Sequence, residues 1–77
     1  MDAVMKNQQV EKDEVETRLV ERGLKPFDTF FAPETGWKIV SKFRYPDGRL
    51  GEIVIDRRSP DSMRPRVDAA LATLAAA

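Results

Sequence analysis

The segment from Trp37 to Arg57 constrains the fold of this 77-residue chain more than any other stretch. At its centre stands Tyr45-Pro46-Asp47-Gly48-Arg49. Proline presets φ for the first turn position, aspartate suits the second, and glycine takes the left-handed position without steric cost. This pattern predicts a three-residue hairpin loop, a type I turn closed by a glycine bulge, with Tyr45 opposite Arg49. Counting outward, Val40 falls opposite Val54, Ile39 opposite Ile55 and Ser41 opposite Ile53. Lys42 meets Glu52 and Lys38 meets Asp56. Opposite charges facing one another across a ladder contribute roughly 0.2–1 kcal/mol each. A slip of one residue would turn Ile53 and Ile55 to the wrong side.

Alternation gives the hairpin two faces. Trp37, Ile39, Phe43, Tyr45, Ile53 and Ile55 form the expected core face. The second face carries Lys38, Lys42, Arg44, Glu52 and Asp56, with Val40, Leu50 and Val54 set among them. A contiguous apolar strip within a charged face is a feature that a protein partner can use.

The flanking segments supply the layer that covers the core face. Val10 to Arg22 predicts a helix, with Val15 and Leu19 four apart, Val20 beside them, and Glu14 placed to pair with Arg18. Gly23 is suited to the left-handed position after that helix, Leu24 can pack back on it, and Pro26 prevents its continuation. Residues 1–9 read as a frayed arm. Residues 27–32 read as a first strand, whose adjacent Phe30 and Phe31 must face opposite sides. Residues 33–36 read as a turn by composition. Beyond the hairpin, Ser62 suits an N-cap and Pro65 falls in a first turn. Met63, Val67, Ala70, Leu71 and Leu74 make one stripe, and the alanines at 75–77 are expected to fray. The expected architecture is a single small α+β domain over residues 1–77. It is a two-layer α-β-β-β-α arrangement, a three-stranded antiparallel meander with both helices packed on one face.

Composition restricts the chemistry. The chain has no cysteine and no histidine, which removes disulfides, thiolates and imidazole and argues against a structural zinc site. No phosphate-binding or dinucleotide-binding glycine motif is present. Glu11, Asp13, Glu14 and Glu16 read as a solvated helix face, and Glu52 and Asp56 each have a lysine opposite. A non-enzyme without metal or cofactor is expected. No apolar run is long enough to span a bilayer, and the lack of cysteine and of a signal-like segment points to a cytoplasmic protein. A chain this short buries only about 60% of its unfolded surface, so association is a common way to extend the core.

Three functional readings follow. The first is a non-catalytic interaction or assembly domain, a homodimer through the open face at Val40, Lys42, Arg44, Leu50, Glu52 and Val54. The second starts from charge. Residues 1–36 hold five basic and eight acidic residues, and residues 37–77 hold eight and five. Arg57, Arg58, Arg64 and Arg66 gather at the start of the last helix, with Lys38 along the sheet, and could bind nucleic-acid phosphate. The element order, and the run Val67-Asp68-Ala69-Ala70-Leu71-Ala72-Thr73-Leu74, resemble double-stranded RNA-binding domains and their last helix. That resemblance implies RNA contact at the start of this helix. Met63-Arg64-Pro65-Arg66 stands where that family carries a lysine-rich signature, and the family's loop histidine is missing. The third reading is a small adaptor or inhibitor that docks on a larger protein through the acidic helix 10–22.

Overall fold

A computed structural model describes residues 2–34, 36–57 and 63–76. The elements are α1 (Asp2–Glu21), β1 (Lys25–Phe31), β2 (Lys38–Arg44), β3 (Leu50–Asp56) and α2 (Met63–Ala76). The strands form one antiparallel sheet in the order β1-β2-β3. Both helices pack on the same face of it, giving the expected α+β layers. No helix among the described residues is long and apolar enough to cross a membrane.

The hairpin follows from its loop. Gly48 has φ +92°, its N–H donates to the Tyr45 carbonyl at 2.9 Å, and the Tyr45 N–H donates to the Arg49 carbonyl at 2.8 Å. The Asp47 carboxylate accepts from the Arg49 N–H at 3.0 Å and from its Nε at 2.7 Å. These bonds hold the Asp47 carboxyl below its ordinary range, the backbone N–H contributing most. The resulting register pairs Lys38 with Asp56, Val40 with Val54, Lys42 with Glu52 and Arg44 with Leu50. Ile39, Phe43, Ile53 and Ile55 are thereby buried beneath the helices.

The end of α1 is set by a Schellman motif. Gly23, at φ +82°, donates to Val20 at 2.9 Å, and Leu24 donates to Leu19 at 2.9 Å. Leu24 folds back into the core beside Leu19 and Val15. The start of α1 differs from expectation. Its backbone is helical from Asp2, not from Val10. Residues 2–9 lack an apolar stripe but also lack glycine and proline, so propensity carries the helix through them. At the other end, α2 continues to Ala76. Met63, Val67 and Leu71 are buried, whereas Leu74 is exposed. Ser62, expected as the N-cap, lies outside the described residues, as does Ala77.

The first strand begins at Lys25, two residues before the expected Phe27. Pro26 is accommodated because it pairs with Phe43, whose own N–H and C=O point toward β3. The missing N–H therefore costs the ladder nothing on this edge strand. A bulge follows between Pro26 and Asp28. Beyond it Thr29 and Ser41 sit directly opposite one another in the core. Their hydroxyls share a 2.8 Å hydrogen bond, which satisfies two polar groups that would otherwise be costly to bury.

Trp37 departs from its expected place in the core and is 53% exposed. It precedes β2, beyond the last aliphatic layer of Ile39 and Ile55. That end of the core is closed by Phe31, with the Arg57 guanidinium 4.5 Å from the centre of its ring.

An ion-pair network joins the two helices. Arg18 reaches both carboxylate oxygens of Asp68 at 2.8 Å, rather than being committed to the neighbouring turn alone. Arg22 adds a contact to Asp68 at 3.0 Å, and Glu21 accepts from Arg18 at 3.2 Å and from Arg64 at 2.7 Å. The hydrogen bond from Arg18 holds the Asp68 carboxyl below its ordinary range, and the same bond stabilises the Arg18 guanidinium.

Two outcomes follow from this packing. A Cβ at Gly51 would lie 2.6 Å from the Phe43 ring and 2.9 Å from the Tyr45 ring, the two rings being packed edge to face at 5.3 Å. Gly51→Ala should destabilise the domain by about 1–3 kcal/mol, the usual cost of overpacking, read from its urea midpoint. Asp68 has a depressed pKa when folded, so the unfolded chain takes up its proton first as pH falls. Its contribution is complete above the ordinary aspartate range and is lost below it. Asp68→Asn should therefore lower stability at pH 7 and flatten the dependence of the urea midpoint on pH between about 5 and 2.

Candidate interaction surface

The face of the sheet opposite the helices is the candidate site. Cross-strand partners share a face, and the register brings all six expected residues to this side: Val40, Lys42 and Arg44 from β2, and Leu50, Glu52 and Val54 from β3. Leu50 is 64% and Val54 49% exposed, while Val40 is half-buried between its neighbours. The Arg44 guanidinium donates to the Gly48 carbonyl at 3.4 Å.

β1 adds two aromatic residues that alternation within the hairpin does not reveal. Phe30 pairs with Val40, and the Lys42 ammonium lies 6.0 Å from the centre of its ring. Phe31, next in the chain, turns inward onto the core. Phe27 is 55% exposed. Regular alternation from Asp28 would direct Phe27 inward. The bulge instead places it over a shallow depression that it lines with Lys42, Leu50, Gly51 and Glu52. The nearest signal in the sequence is Pro26, since sheets confine proline to edge strands, strand starts and bulges. The apolar area is thus a patch across three strands: Phe27, Phe30, Val40, Leu50 and Val54.

Charge on this face is arranged by strand. Lys38, Lys42 and Arg44 run along the central strand. Asp28 flanks them on β1, and Glu52 and Asp56 flank them on β3. Lys25, opposite Arg44, adds a further basic group at one corner.

Among the described residues, Arg57, Arg64 and Arg66, considered for nucleic-acid binding, each hold a partner within the fold. Arg57 makes bonds of 2.7 and 3.1 Å to the Glu11 carboxylate and donates to the Gly36 carbonyl at 2.6 Å. Arg64 pairs with Glu21. Arg66 donates to the Asp56 carbonyl. Lys38 lies on the open sheet face, at the start of the central strand. Arg58 lies outside the described residues. Arg57 thus links the end of β3, the loop before β2 and helix α1, while Arg64 belongs to the helix–helix network.

Arg57→Gln should lower stability by about 2 kcal/mol, since it breaks a partly buried, charge-assisted pair. The check is a urea titration beside Glu11→Gln. Losses that are much less than additive in the double variant would demonstrate the coupling. No protein-family model, curated protein or solved structure matches the chain.

Proposed function

We propose that this chain is a non-catalytic assembly domain that associates with a second copy of itself through the open sheet face. The observation that carries this reading is the patch of Phe27, Phe30, Val40, Leu50 and Val54 on a face that the helices leave uncovered. Two features favour a copy of the same chain as the partner. The face is nearly balanced, with Lys25, Lys38, Lys42 and Arg44 set against Asp28, Glu52 and Asp56. A two-fold interface must be complementary to itself, and a strongly single-signed face would repel its copy. The charges are also segregated, basic along the centre and acidic on the flanks. A copy laid obliquely across the sheet can set its central row over its partner's flank.

Light scattering on a sizing column should give a mass that rises with concentration to that of a dimer or larger species. Val54→Asp and Phe27→Asp each place a carboxylate within the patch. Each should weaken association by at least about tenfold, equivalent to 1.4 kcal/mol, with the circular dichroism spectrum unchanged. Equal masses for the parent and both variants would reject the face as the interface.

A further inference from the structure

The two edges of the sheet are unlike. Natural proteins blunt exposed edges with proline, bulges or covering segments, because a row of unpaired N–H and C=O groups invites another strand. β1 carries both Pro26 and the Phe27 bulge. β3 pairs in unbroken register with β2 over all seven of its residues and contains no proline.

Which groups of β3 face outward follows from the ladder. Tyr45 bonds to Arg49 at one end of the hairpin, and the Arg57 N–H donates to the Trp37 carbonyl at 2.7 Å at the other. Bonded and non-bonded pairs alternate between antiparallel strands. Gly51, Ile53 and Ile55 therefore point their backbone groups toward β2, and Leu50, Glu52, Val54 and Asp56 point theirs away from the sheet. Arg66 of α2 reaches the outward carbonyl of Asp56, which confirms its direction. No backbone group among the described residues pairs with the outward groups of Glu52 and Val54.

We infer that the β3 edge is a strand-pairing site for the β3 edge of a second copy, in antiparallel register centred on Ile53. This register overlaps all seven residues of β3, and the side chains favour it over its neighbours. Pairing centred on Glu52 would set that carboxylate against its own copy. Pairing centred on Val54 would set Glu52 against the partner's Asp56. Directly opposed like charges destabilise a ladder. Centring on Ile53 places Glu52 opposite the partner's Val54 and Leu50 opposite the partner's Asp56. Neither acidic residue of the strand then faces an acid. The outward N–H and C=O groups of Glu52 and Val54 meet those of the partner's Val54 and Glu52 as bonded pairs. Beside the edge, α2 presents the small residues Ala69, Ala70 and Thr73 along a groove that also includes Val54 and Ile55 and ends at Asp56 and Arg66. The Thr73 hydroxyl is turned back to the Ala69 carbonyl at 3.1 Å.

This pairing is distinct from association through the open face, and amide hydrogen exchange separates them. Face-to-face contact leaves the outward amides of Glu52 and Val54 without acceptors, and edge pairing protects them. In the full chain at high concentration, these two amides should exchange on the order of a hundredfold more slowly than unprotected ones, and lose that protection on dilution. The protection should persist in Phe27→Asp, which alters the open face on the far strand. Glu52→Pro removes an outward N–H and should reduce the associated mass. Unprotected exchange at Glu52 and Val54 at every concentration, with Ile53 and Ile55 protected, would overturn the inference.

Discussion

The hydrogen bond that closes the loop between Tyr45 and Arg49 determines which side of this sheet becomes the inside. Once it forms, every later pair in the hairpin is specified, and Ile39, Phe43, Ile53 and Ile55 arrive together on one face. Gly51 is part of the same constraint, because its register position lies under the Phe43 and Tyr45 rings. A side chain there would compete with the rings for the space that the loop assigns to them.

The core that results is small, and polar groups help to define its limits. Thr29 and Ser41 fill a cross-strand position inside it by bonding to each other. Arg57 closes one end by lying over Phe31 while holding Glu11. Arg18 and Asp68 join the helices at their mutual boundary. The more exposed contacts of this helix–helix network contribute modestly to stability. The geometry of these pairs nevertheless fixes how α1, α2 and the sheet meet, and it accounts for much of the basic charge that composition alone left unassigned.

The hairpin was legible because turn chemistry, alternation and charge pairing agreed over Trp37 to Arg57. The stop of α1 was equally legible, since Gly23 and Leu24 leave a local signature. Other features depended on contacts far apart in sequence. Arg18 is 50 residues from Asp68 and Arg57 is 46 from Glu11, and no local spacing pairs them. The hairpin alone shows which residues share the open face, but the direction of Phe27 depends on a bulge that alternation does not reveal. Trp37 lies outside the core: alternation assigns a side and does not show where the covering layer ends. The start of α1 is not marked by pattern because residues 2–9 favour helix without carrying an apolar stripe.

The irregularity at Pro26 and Phe27 reaches beyond its own strand. A flat sheet with two equivalent edges can recruit neighbours on both sides and extend without limit, as fibrils do. Here one border is interrupted and the other is regular. A molecule that can be joined on a single border is used up by its first partner. If the regular border recruits a second copy as inferred, the bulge on the other would act as a chain terminator for growth in the plane of the sheet, limiting lateral assembly to a closed pair.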